Sequence, residues 1–144
     1  MKKIILLLSL IYLSTCIDHE VKAKNGIPKI EKCSEDHWFV VDKMLVWPEG
    51  DVVRGDMIRQ DTYGTTQKDL PTKDRTVSVT LNGQEIFTDW DSLPSTIPYL
   101  TEVDFLYDYN LPADAAPGHY EIIAKWRETN DDVFLCTKVS FDLE

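Results

Sequence analysis

Asn82-Gly83 lies between two β-patterned runs and constrains this chain more tightly than any other pair of residues. An Asn-Gly pair favours the left-handed backbone of a two-residue hairpin. Upstream, Val77, Val79 and Leu81 alternate with Thr76, Ser78 and Thr80, as in a half-buried strand. Gln84–Phe87 is the expected short return strand. The rest of the chain repeats this grammar: Ile27–Cys33, His37–Trp47 and Val52–Gln60 read as strands, and so do Glu102–Tyr109, His119–Thr129 and Asp132–Leu143. Asp61–Lys73, with Gly64 and Pro71, reads as a long turn, and Thr88–Leu100 as a loop. Seven or eight short strands separated by turn residues predict an all-β sandwich of two antiparallel sheets.

The N-terminus follows a different grammar. Lys2 and Lys3 precede an apolar run, Ile4–Leu13, of about ten residues, too short for the ~20 that cross a bilayer. Ser14 and Cys16 stand at the −3 and −1 places of a small-residue cleavage site, the order of a secretory signal peptide. The expected division is a signal over residues 1–16 and a folded domain over 24–144. Cleavage at Ala23, a lipid-attachment box ending at Cys16 and a buried first strand are competing readings. Loss of Cys16 leaves Cys33 and Cys136 of the three cysteines, to pair in an oxidising compartment or to remain as buried thiols. The strand pattern sets Cys136 on the face opposite Leu135 and Val139. A bond there therefore needs either a bulge or a position outside the core.

The formal charge is −10, and losing Lys2 and Lys3 with the signal would make it −12. Nucleic acid is excluded as a partner, because that affinity rests on phosphate neutralisation. His19, His37 and His119 occur in no nucleophile motif, so no enzyme activity is expected. Asp104, Asp108 and Asn110, the pair Asp89 and Asp91, and Asp131-Asp132 supply oxygen atoms but no calcium-loop spacing, so neither a metal nor a cofactor is expected. The remaining feature is aromatic. Phe39, Phe105, Tyr107, Tyr109, Tyr120, Trp126 and Phe141 fall on the apolar strand faces, where they either pack a core or line a slot.

The C-terminal third carries a motif. Pro117-Gly118-His119-Tyr120 opens an alternating strand through Trp126, followed by the acidic turn Asn130-Asp131-Asp132, then Phe134-Leu135-Cys136 and Val139-Ser140-Phe141. With Cys33 in a short first strand, this resembles the ML (MD-2-related lipid-recognition) domain family. That family includes the Niemann–Pick type C2 sterol carrier and phosphatidylglycerol/phosphatidylinositol transfer proteins. The resemblance implies an immunoglobulin-like sandwich with an apolar cavity between the sheets and a Cys33–Cys136 disulfide. It implies a monomer that binds or transfers a sterol or phospholipid without catalysis, secreted or in the lysosomal lumen, with transient membrane or membrane-protein contact. Many relatives carry two further disulfides, for which this chain has no cysteines.

The candidate cavity walls are Phe39, Val41, Val79, Phe105, Tyr107, Tyr120, Ile122, Trp126, Val139 and Phe141. Trp90, Ile97 and Tyr99 are candidates for the mouth. The competing function is a secreted recognition or adhesion domain with a filled core, binding protein or glycan through its loops.

Overall fold

In the computed structural model, which describes residues 26–35 and 38–144, Asn82 and Gly83 both have left-handed backbone, with φ of 51° and 80°. They join β4 (Leu70–Leu81) to β5 (Gln84–Ile97), as the hairpin signal predicts. The other strands are β1 (Lys29–Lys32), β2 (Phe39–Trp47), β3 (Met57–Thr66), β6 (Glu102–Asn110), β7 (Gly118–Glu128) and β8 (Val133–Leu143). Two antiparallel sheets result, of order β1-β8-β7-β4-β5 and β2-β3-β6. The proposed signal, Ala23, His19 and His37 lie outside the described residues.

Several boundaries differ from the sequence expectation. β3 starts at Met57 rather than Val52, because Val53–Asp56 closes a turn. Asp56 N donates to Val53 O at 3.1 Å, Val53 N donates to Asp56 Oδ2 at 2.8 Å, and Gly55 has φ of 87°. β3 then runs on to Thr66 and β4 begins at Leu70, so the expected turn Asp61–Lys73 shrinks to residues 67–69. Gly64 belongs in β3 because the Phe39 ring lies over it; a Cβ there would come within 2.5 Å of Phe39 Cζ. β5 continues to Ile97 through the expected loop. It is an edge strand, and an edge accommodates Pro94, which cannot donate to a ladder.

Register irregularities move two further sets of side chains. A shift between Val41 and Lys43 brings Val46 to the core side with Phe39 and Val41, rather than to the opposite face. In β8, Leu135 pairs with Trp126 and Val133 with Arg127, leaving Phe134 as an extra residue. Phe134 therefore turns inward and is buried, where unbroken alternation from Leu135 would place Val133.

Cys33 and Cys136 are joined across β1 and β8, with Cα atoms 4.9 Å apart. Cys33 N donates to Cys136 O at 2.8 Å, and Cys136 N donates to Ser34 Oγ at 3.0 Å. Cys136 pairs in register with exposed Lys125, whereas its neighbours Leu135 and Thr137 pair with buried Trp126 and Ala124. The bond thus lies on the outer face of the sheet, outside the core. The bulge at Phe134 precedes it.

Candidate functional site

The sandwich has one closed long edge and one parted one. At the closed edge β2 approaches β1 and β8. At the other, β5 of the large sheet and β6 of the small one separate. A groove of about 480 Å³ opens between them, lined by Thr72, Asp74, Arg75, Leu93, Pro94, Ser95, Ile97, Asp104, Phe105, Leu106 and Trp126. That volume lies within the roughly 300–1,000 Å³ of small-molecule sites.

Beyond Ile97 the connection to β6 is fastened at Thr66. Thr66 Oγ1 donates to Pro98 O at 2.6 Å, and Leu100 N donates to Thr66 O at 3.0 Å, which ties the β5–β6 connection to the end of β3. The lower limit of the groove is Arg75. The register pairs Arg75 with Trp126 on one side and Asp91 on the other, so the guanidinium is carried between the sheets. There it packs 4.8 Å from the Tyr107 ring centre, ion-pairs with Asp91 and lies 3.9 Å from Asp89. Burial pushes the Tyr107 hydroxyl up to about 12, so the ring stays neutral under the cation. Beyond Arg75 the seam continues as a smaller hollow of about 360 Å³, lined in part by Phe87, Asp89, Tyr107 and Tyr109. Phe87 and Tyr109 meet across it at 5.8 Å.

The back wall is aromatic. Phe105 stands 5.5 Å from Trp126, 5.2 Å from Phe39 and 5.6 Å from Phe134, and these rings fill the space behind the groove. On the outer side Asp74 is buried, held by Arg127 at 2.7 and 2.8 Å, and the paired guanidinium keeps its carboxyl below the usual range. Asp104 is opposite in behaviour. A hydrogen bond with Asp61, partial burial and the neighbouring charge raise it to about 6.

All ten candidate wall residues belong to the hydrophobic core or pack against it. Of them, Phe105 and Trp126 line the groove, and Tyr107 lines the smaller hollow. Phe39 lies behind Phe105; Tyr120 and Phe141 stack on each other at 5.2 Å. Val41, Val79, Ile122 and Val139 are packed interior side chains. Of the mouth candidates Ile97 lines the groove, whereas Trp90 and Tyr99 do not. Trp90 pairs with Thr76, alternate to Arg75 and Asp91, and so projects from the other face of β5. Tyr99 is exposed in the β5–β6 connection.

Sequence reasoning did not single out Arg75 or Leu106, and it weighed Asp91 only as an oxygen donor for a metal. The signal for Arg75 was present, since the alternation of Val77, Val79 and Leu81 extends back to it.

No protein-family model matches the chain, and no curated protein sequence matches it. Solved structures do match its backbone. A Niemann-Pick type C2 protein from the Japanese carpenter ant aligns at TM-score 0.58 and 12% identity, over 81% of this chain and 99% of that one. Chicken MD-1, solved in complex with lipid IVa, aligns at TM-score 0.51 and 11% identity, over 83% and 96%. The C-terminal domain of wzt aligns at TM-score 0.53 and 9% identity, over 81% and 78%. At these identities the likeness shows the fold alone, a sandwich of two antiparallel sheets.

Proposed function

We propose that this protein binds a lipid in the β5–β6 groove, as a carrier rather than an enzyme. One observation carries the reading: in a sandwich of this fold, the sheets part at one edge and leave an apolar-walled groove leading to Phe105 and Trp126. Burial of hydrocarbon there would gain roughly 0.8 kcal/mol per CH₂, so affinity follows apolar contact. Asp74 and Asp104 line the groove, Asp91 engages its one arginine, and the whole chain carries −10. A neutral sterol or a zwitterionic phospholipid suits that field better than an anionic lipid. The solved complex of MD-1 with lipid IVa supports a lipid as the class of ligand.

The same reading assigns residues 1–16 to a secretory signal and residues 24–144 to the mature domain, secreted or delivered to the lysosomal lumen. The disulfide fits an oxidising compartment. N-terminal sequencing of secreted material should begin after Cys16; an intact Met1 contradicts this. Native mass spectrometry after incubation with cholesterol and phosphatidylcholine vesicles tests the ligand. A lipid-mass adduct is expected, and a bare protein mass with both would reject the reading.

A second reading rests on the contact between Phe105 and Trp126, which is what a filled interior produces. It makes the protein a recognition domain whose exposed Trp90 and Tyr99 meet protein or glycan. It predicts a bare mass in the lipid experiment.

A further inference from the structure

Among the buried polar side chains that face the interior of the sandwich, three form a group that reaches from one sheet to the other. They are Gln60 and Thr62 of β3, and Thr137 of β8, each no more than 2% exposed. Thr137 Oγ1 donates to Gln60 Oε1 at 2.7 Å, a polar link from one sheet to the other. Gln60 Nε2 and Thr62 Oγ1 are buried without a partner. A buried polar atom left unpaired costs about 1–3 kcal/mol, so two side by side mark a place where something else supplies the bonds.

Their position fixes what that place adjoins. In the ladder Thr62 stands opposite Phe105, and Gln60 opposite Tyr107. Directly opposed side chains have Cβ atoms about 4.5–5.5 Å apart. Thr62 is thus the immediate neighbour of the residue that forms the back wall of the groove. On the large sheet Thr137 pairs with Ala124, so the side chains on that side are small. Phe105 is only half-buried and stands between the open groove and these atoms.

We propose that Gln60 and Thr62 form an inner anchor for the polar end of a neutral, hydroxyl-bearing amphiphile, reached when the Phe105 ring turns aside. The ligand enters head-first. Its hydroxyl oxygen accepts from Gln60 Nε2 and exchanges a hydrogen bond with Thr62 Oγ1. Its hydrocarbon lies along Phe105, Trp126, Leu93 and Ile97 towards the mouth. Gln60, Thr62 and Thr137 are all uncharged, so an ionic head group would lose its hydration with no counter-ion among them. This rests on the lipid-binding reading and adds to it the ligand's orientation and head-group chemistry.

The test uses two probes of one chain length, 1-dodecanol and n-dodecane, measured by equilibrium dialysis on wild type, Gln60→Leu and Thr62→Val. Each substitution keeps the volume and removes the hydrogen bond. Thermal unfolding checks that each variant folds, and either variant alone suffices. The expected result is dodecanol binding weakened three- to tenfold in each variant, the worth of one neutral hydrogen bond, with dodecane binding unchanged. If dodecanol binding is unchanged in the folded variants, an ordered water alone occupies the anchor and the inference is overturned, while lipid binding stands. If neither probe binds wild type, the lipid reading fails and the anchor with it.

Discussion

The two long edges of the sandwich hold the same sheets by different means. Along β1 and β2 the fully buried Phe39 packs between the sheets, and on the outer face the disulfide ties β1 to β8 within the large sheet. Along β5 and β6 the sheets are spanned by Arg75 over Tyr107 and by the Phe87–Tyr109 contact, and between Arg75 and the tied Pro98–Thr101 connection they stay apart. Apolar packing between the sheets, and the disulfide that braces one of them, concentrate where nothing needs to enter. Charged and half-exposed ties sit beside the opening, where opening and closing cost less. The closed edge carries stability, and the open one offers the proposed ligand site.

The largest expected effect comes from loosening the strand pair β1–β8 beside the closed edge. Replacing Cys33 and Cys136 by Ser together frees a link spanning 103 residues and should cost about 4–5 kcal/mol in urea unfolding. Lipid binding should survive wherever the variant is still folded, because the bond lies outside the core. Phe39→Ala comes next. It empties a fully buried site against Phe105 and Phe134 and should cost about 3–5 kcal/mol. It also removes the support behind Phe105, so binding should change as well. At the open edge the order reverses. Leu93→Asp alters an exposed position, so unfolding should shift by under about 1 kcal/mol. The new carboxylate meets the hydrocarbon, however, and lipid affinity should fall at least tenfold.

Asp104→Asn should have the smallest effect, visible through pH. The folded protein holds the Asp104 proton up to about 6, against 3.8 for the free group. Its contribution to stability is therefore present below about 3.8 and is lost as pH rises through about 6. A protonated Asp104 also supplies a donor beside Asp61 Oδ1, which is otherwise buried without one. The amide should match wild type at low pH and melt slightly higher above pH 6. Equal melting curves at both pH values would remove Asp104 from the account.

What the sequence made legible tracks burial on one face. Val77, Val79 and Leu81 in β4, the run Tyr120 to Trp126 in β7, and Val103 to Tyr109 in β6 each alternate against solvent-facing neighbours, and all fall where periodicity assigned them. The second half of β3 does not announce itself, because its inward residues are Thr62, Gly64 and Thr66. Polar and small residues turned inward give no apolar period. β5 fails for the opposite reason: as an edge strand it is largely exposed on both faces, and its Asp, Ser and Pro content reads as loop. β5 itself forms one wall of the groove and β3 bears the proposed anchor, so the site is where the sequence was least readable. Bulges hid Phe134, since one inserted residue reverses the face of all that precede it.

The central claim is that ligand enters between β5 and β6, and site-mapping tests it most directly. The full chain is loaded with a photoactivatable diazirine sterol, irradiated, digested and sequenced by mass spectrometry. Adducts are predicted on Leu93–Ile97 and Asp104–Leu106, with further label on Trp126. Label confined to exposed apolar residues away from the groove, such as Trp38, Val53 or Tyr99, or no label at all, would contradict it.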